Sequence, residues 1–274
     1  MDPEDLASCD MYALAENKLK SFTRSAVRTK VMLCLLKGDL SSSDLEELLG
    51  SSATTILHTI KDMIEEKLVA KTPHGYVLTN VGRIQALILE ELLGTLIVLD
   101  RHHDFWLTHD VSGLPIGLQM KIGMLGKGEI LKGNPAAILR TQEFFISELK
   151  KAKEIHGVSP IIVPGYAEAI VIAVANGAQV DLVLTNSILD IVIKEYHEVV
   201  QDLLQHENFR LFSIDNDIKV AFTVTDSILS FGLFRLDGMY DVSSDLNCIG
   251  PEAYEWGMEL FEYYVSKSKR VNSV

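Results

Sequence analysis

The chain has 274 residues, 47% of them hydrophobic, and a net charge of −13. Its length suits two modest domains, and its apolar content can fill real cores, which excludes a largely disordered chain. Cys9, Cys34 and Cys248 are odd in number and far apart, which argues against a disulfide framework and a paired metal motif.

The first residues, Met1-Asp2-Pro3-Glu4-Asp5, are acidic where a secretory leader would be basic. The longest apolar run, Leu92 to Leu99, is flanked by Glu90, Glu91 and Asp100 and is too short to span a bilayer. These features predict a soluble cytoplasmic protein with no membrane partner.

Residues 1–20 read as a polar leader with partial helical character. Phe22 to Lys37 carries Phe22, Ala26, Val27, Val31, Leu33, Leu35 and Leu36, a helical pattern stopped by Gly38. Cys34 falls in that apolar run and reads as core. Ser41 to Gly50 is a short capped helix ending at glycine, and Ser51 opens another that runs through Ile56, Ile60 and Met63. Ser41 and Ser51 are the expected N-caps.

Lys67-Leu68-Val69 leads into a strand, Thr72-Pro73-His74-Gly75 is a turn, and Tyr76 to Thr79 is the returning strand. Helix, helix and hairpin in this order make a winged helix-turn-helix, which lays one helix in a DNA groove and its wing along the backbone. Thr54, Thr55, His58 and Lys61 lie on the helix face away from Ile56, Ile60 and Met63 and are the expected contacts with bases and phosphates. His74 at the hairpin tip is the expected wing contact.

Affinity for duplex DNA rests on Lys and Arg, so the net charge is an obstacle. Its distribution eases it. Lys20 to Glu90 holds nine Lys and Arg against eight Asp and Glu, so all the excess acid lies elsewhere. Glu46, Glu47, Glu65 and Glu66 can face away from the duplex.

Gly82 to Leu99 is a long helix with apolar residues on more than one face: Ile84, Leu87, Ile88, Leu92, Leu93, Leu96 and Leu99. A subunit interface or interdomain packing both fit. A twofold dimer is the preferred reading, with Ile88, Leu92 and Leu96 near the interface.

Beyond residue 100 the predicted elements alternate. Gly128 to Lys132 is a strand, Pro135 to Glu154 a helix, Ser159 to Val163 a strand and Tyr166 to Ala175 a helix. Val180 to Leu184 is a strand and Ser187 to His206 a long amphipathic helix. Strands follow at Phe209 to Ile214, Lys219 to Val224, Ile228 to Phe234 and Gly238 to Val242, and a helix from Pro251 to Ser268 closes the chain. That alternation predicts an α/β domain with a mixed sheet.

Particular stretches carry a resemblance. Phe105-Trp106-Leu107-Thr108-His109-Asp110-Val111-Ser112-Gly113-Leu114-Pro115, Gly157 to Ile161, Val220 to Asp226 and Phe231 to Phe234 are four of them. Asp237 to Asp241 and Glu255 to Tyr264 complete the set. With these the chain resembles the methanogenesis regulatory protein family, two-domain archaeal regulators whose first module is similar to ArsR-type repressors. The resemblance implies a transcriptional regulator with an effector-sensing second domain.

A weaker likeness, in fold only, is to phospholipase D-like domains, which use His-x-Lys-x4-Asp. The matching positions here are Asp217, Lys219 and Val224, so the nucleophilic His and the Asp are both missing.

Among the remaining residues, His102, His103, Asp104, His109 and Asp110 form a dense His/Asp cluster, but its spacing follows no ligand motif, and neither metal nor cofactor is expected. Large polar-tipped residues serve both pockets and cores. Of these, Trp256 reads as core. Tyr166, Arg235, Tyr240 and His109 make the expected effector site, with Arg235 either binding an anion or pairing with Asp237.

The reading is a two-domain α+β and α/β protein: a winged helix at 20–99 with its linking helix, and a mixed-sheet α/β sensor domain at 100–274. It is expected to bind double-stranded DNA and a small effector as a homodimer and to do no chemistry. The rivals are a phospholipase D-like phosphodiesterase with an accessory winged helix, and a winged helix used only for protein contacts.

Overall fold

The structure, a computed structural model, describes residues 3–23, 25–126, 128–132 and 145–274. The chain forms two compact units, Met1–Leu92 and Leu93–Val274.

In the first unit the polar leader is a full helix, α1 (Pro3–Thr23). The helix expected from Phe22 starts later, as α2 (Ala26–Leu35), because Ser25 caps it and accepts the Arg28 N–H at 3.3 Å. Ser41 and Asp44 form a reciprocal capping box at the start of α3 (Ser42–Leu49), satisfying two donors that the first turn leaves open. Gly50, at φ 59°, ends that helix in the left-handed region. The cap of α4 (Ala53–Glu65) is Ser52 rather than the expected Ser51. Its Oγ accepts the Thr55 N–H at 3.3 Å, three residues on, where a cap must reach.

Strands β1 (Val69–Thr72) and β2 (Gly75–Leu78) form the antiparallel hairpin. Leu40 adds a short third rung by exchanging two backbone bonds with Tyr76, at 3.1 and 2.9 Å. A Cβ on Gly75 would lie 2.3 Å from the Leu40 carbonyl oxygen, so that rung requires glycine. The helices close over Val31, Met32, Leu45, Ile56, Ile60 and Met63, all buried. Arg28, buried on α2, makes two 2.6 Å bonds to Glu66 at the end of α4 and ties the two helices together. The unit has the element order of a winged helix. Helix α5 (Asn80–Arg101) follows, with the unit boundary inside it.

The second unit is built on an eight-stranded mixed sheet. Before it come α6 (His103–Thr108) and α7 (Ile116–Met120). The strands are β3 (Glu129–Lys132), β4 (Glu154–Ser159), β5 (Gln179–Thr185), β6 (Phe209–Ile214), β7 (Val220–Thr225), β8 (Leu229–Leu233), β9 (Ser244–Cys248) and β10 (Lys269–Val271). Their order across the sheet is β10-β6-β5-β4-β7-β8-β9-β3. The two parallel pairs, β4–β5 and β5–β6, are joined through α8 (Tyr166–Ala175) and α9 (Asn186–Leu203), as parallel neighbours require a crossover. The remaining pairs are antiparallel. Helix α10 (Pro251–Ser266) precedes the last strand.

Alternation along the strands feeds two cores. Val180, Leu182 and Leu184 pack with α8 and α9, while Val183, Phe222 and Val224 pack with Trp256 and Leu260 of α10.

Three expected elements move. The helix expected at Pro135 to Glu154 lies partly outside the described residues; 145–149 are helical, but Glu154 already belongs to β4. The strand expected at Ser159 to Val163 ends at Ser159, since Pro160 and Pro164 bring no N–H to a ladder and Ile155 and Val158 supply the buried positions. Gly238 to Val242 is a turn held by the Arg235 N–H to the Met239 carbonyl at 2.8 Å, and the strand lies further on at Ser244–Cys248. The edge strand β10 had no counterpart among the expected elements. Among the described residues, no helix is long and apolar enough to cross a membrane.

Candidate functional site

Helix α4 presents two unlike faces. Ile56, Ile60 and Met63 are buried, whereas Thr54, Thr55, His58 and Lys61 are exposed. The expected nucleic-acid contacts thus share one solvent face. Acid shares it too: His58 Nδ1 lies 3.2 Å from Asp62, and Lys61 Nζ lies 4.0 Å from Glu65, each one turn on. Glu65 therefore lies beside Lys61, because a spacing of four brings side chains together on a helix. Glu66 does turn inward, to Arg28, and the two groups shift each other: their hydrogen bond raises the arginine and lowers the carboxyl.

His74 is exposed at the hairpin tip, where its N–H donates to Thr72 Oγ1 at 3.3 Å. The Thr72 hydroxyl in turn reaches Asp39 at 3.2 Å. Lys71, also exposed on β1, was not among the expected contacts. Its place just before the turn Thr72-Pro73-His74-Gly75 was its signal.

The four expected effector residues do not form one group of bonded side chains. His109 and Tyr240 belong to a polar cluster with two carboxylates. His109 Nε2 lies 3.3 Å from Asp241, its Nδ1 lies 2.8 Å from the Phe105 carbonyl, and its ring stacks on Phe105 at 4.4 Å. The Tyr240 hydroxyl donates to Asp245 at 2.9 Å. Burial raises the Asp245 carboxyl and, with Asp245 beside it, the Tyr240 phenol. At Asp241 burial is outweighed by bonds from Ser243, and its carboxyl is lowered.

Arg235 joins the cluster only through its backbone, which bridges His109; its side chain is exposed. Among the described residues no ion pair joins it to Asp237, which instead accepts the Met239 N–H at 3.0 Å.

Tyr166 stands elsewhere, at the start of α8. Its hydroxyl is 3.3 Å from Thr223 Oγ1, and burial pushes its phenol up to about 12. A Cβ at Gly157 would meet that hydroxyl at 2.7 Å, so glycine is what lets the ring in. Tyr166 also lines an apolar cavity of about 130 Å³. Leu182 and Leu211 of the sheet form its floor, Ile170 of α8 and Ile188 of α9 its walls, and the 159–165 loop its rim.

A second buried polar group was not anticipated. Asp181 on β5 is fully buried and takes two short bonds from Arg210 on β6, while His156 on β4 lies 3.2 Å away. Burial alone would raise the Asp181 carboxyl, but Arg210 and His156 hold it down at about 2. The three occupy one cross-strand row, which only the register reveals.

The phospholipase D-like positions do not assemble. Lys219 Nζ lies 3.7 Å from Asp217 and 5.8 Å from the Phe234 ring centre, whereas Val224, where that motif needs a carboxylate, is buried in the core. In the His/Asp cluster, His102 Nε2 meets the Gly128 carbonyl at 3.0 Å and His103 lies 3.7 Å from Asp104. Among the described residues no group of three or more His, Cys, Asp or Glu is placed to hold a metal ion.

A winged-helix unit followed by a mixed-sheet α/β unit defines the class. Two family profiles match it in that order: the N-terminal domain of methanogenesis regulatory protein FilR1 over residues 16–97, and its middle domain over residues 138–267. The chain belongs to the methanogenesis regulatory protein family. It is 38% identical over 261 residues to methanogenesis regulatory protein FilR1 of Methanothrix harundinacea, matching 93% of this chain and spanning 58% of the relative's length. Among solved structures it is similar to TrmBL2, an archaeal chromatin protein, at 15% identity and a TM-score of 0.43, covering 94% of this chain and 98% of that one. It is also similar to Nuc, a phospholipase D family member of Salmonella typhimurium, at 15% identity and a TM-score of 0.40, covering 53% of this chain and 99% of that one.

Proposed function

We propose that the chain is a DNA-binding transcriptional regulator. The observation that carries this reading is α4, whose exposed face offers Thr54, Thr55, His58 and Lys61 beside a hairpin bearing Lys71 and His74. Hydroxyls, an imidazole and ammonium groups on one helix and its wing are what base edges and phosphates accept. The name of the curated relative, a regulatory protein, agrees with it.

The second unit serves as an effector sensor and carries out no chemistry. Val224, buried in the core, occupies the place where phosphodiester cleavage would need a carboxylate.

The active form is a homodimer. Ile84, Ile88, Leu92 and Leu96 stand exposed along one stripe of α5, and a long apolar stripe left in water is what a twofold partner covers. Light scattering at micromolar concentration should give twice the mass of the chain, and Ile88→Glu should return a monomer. A wild-type chain that stays monomeric, with or without DNA, removes this part of the reading.

Titration with duplex DNA at low and at high salt tests the whole. Saturable binding that weakens steeply with salt is expected. Absence of binding at low salt favours a winged helix used for protein contacts.

A further inference from the structure

The apolar cavity of the second unit has a lining that limits what it can hold. We propose that it binds a compact, uncharged, apolar molecule about the size of one aromatic ring. The assignment deepens the sensor reading above, because it names the class of effector.

Three observations support it. No lining residue carries a charge. Two part-buried hydroxyls at its edge are already engaged: Ser159 Oγ donates to the Ile161 carbonyl at 2.7 Å, and the Tyr166 hydroxyl lies 3.3 Å from Thr223 Oγ1. An anionic or strongly polar ligand would lose its hydration there without recovering hydrogen bonds. The volume, about 130 Å³, is close to that of the roughly 150 Å³ apolar cavities that stay dry and accept benzene.

A further observation concerns α9, the helix that walls one side. It leaves helical geometry at Tyr196, with φ −131° and ψ 34°, although Asn186–Leu203 contains neither proline nor glycine. Helix breaks without such residues need another cause. Tyr196 itself lines the cavity, with Val192 one turn before it and Val199 and Val200 after it. An occupant touches both arms of the broken helix. It therefore bears on the break itself, and a ligand shifts an equilibrium between arrangements of the arms only by its differential affinity for them.

The test uses the full chain, with benzene as probe and benzoate as its charged counterpart. Binding is read by ligand-observed NMR and by the rise in melting temperature. Benzene should bind saturably, and benzoate at least about tenfold more weakly. Leu184→Phe, which fills the cavity from the sheet, and Val192→Phe, which fills it from α9, should each weaken benzene binding at least about tenfold. Using two walls keeps the test informative if one variant fails to fold.

Equal binding of benzoate and benzene, or benzene binding unchanged in both variants, would overturn the assignment, as would the absence of saturable benzene binding. Benzene binding in a chain without affinity for duplex DNA would instead overturn the regulator reading and leave the cavity assignment standing.

Discussion

Two sets of polar residues, one in each unit, are placed in opposite ways. In the first, His58 and His74 stand in solvent with Thr54, Thr55, Lys61 and Lys71. In the second, His109 and His156 are buried, each beside a carboxylate, and Asp181 has no exposure at all. A polar group left in water can be lent to a partner at little cost to the fold. A buried one is committed to its neighbours, and removing a partner leaves it unsatisfied. On the proposed reading, recognition in the first unit rests on surface side chains, whereas in the second it falls to a cavity lined by apolar residues. Substitutions at exposed polar residues should accordingly act on binding, and those at buried ones on stability.

The largest effect belongs to the core of the second unit. Trp256 is fully buried, meets Phe231 edge to face at 5.5 Å and donates from Nε1 to the Leu118 carbonyl at 3.0 Å. Trp256→Ala should cost about 3–5 kcal/mol in denaturant unfolding. A loss under about 1 kcal/mol would break the contrast between the units.

Asp181 comes next. Its carboxyl sits at about 2 in the folded protein, below the 3.8 of a free aspartate, so its contribution is present above pH 4 and disappears as pH falls through about 2. A displacement of this size is worth roughly 2 kcal/mol. Unfolding curves of the wild type and Asp181→Asn should differ by about that amount at pH 6 and converge near pH 2. A gap independent of pH would show that Arg210 and His156 do not stabilise the charge.

The first unit has one committed ion pair of its own. Arg28 is buried, whereas the Glu66 side chain is 39% exposed, so water screens part of the pair. Arg28→Ala should cost about 1–2 kcal/mol, less than a fully buried pair would. A cost above that of Trp256→Ala would reverse the comparison.

The same contrast decided what the sequence could tell. The winged helix was legible because its signals are local. Ser41 with Asp44 three residues on, Gly50 at the end of α3, and the polar face opposite Ile56, Ile60 and Met63 all lie within a few turns. Errors there were of boundaries, as with Ser52 for Ser51 as a cap and Ala26 for Phe22 as the start of α2.

The sheet depends on distant pairing. Strand β4 carries His156 and Gly157 inside its buried run, so the apolar stretch after Ser159 looked more strand-like than it is. Strand β9 alternates Leu246 and Cys248 with Asp245 and Asn247, a pattern that the turn-rich segment before it obscured. The grouping of His156 with Asp181 and Arg210 exists only in the register of three strands. The cavity draws on the sheet, two helices and a loop, which is why Tyr166 could be singled out while its surroundings could not.

Smallest in stability and most direct in meaning is the double variant Lys61→Ala/Lys71→Ala. Both side chains are exposed, so the melting temperature should hold and the change in stability should stay within about 0.5 kcal/mol. The measurement is the affinity of this variant and of the wild type for duplex DNA across a series of salt concentrations. The account predicts weaker binding by the variant and a log–log salt slope shallower by about two, one for each phosphate that a lysine no longer neutralises. A wild-type chain that does not bind duplex at low salt, or a variant whose slope is unchanged, would contradict it.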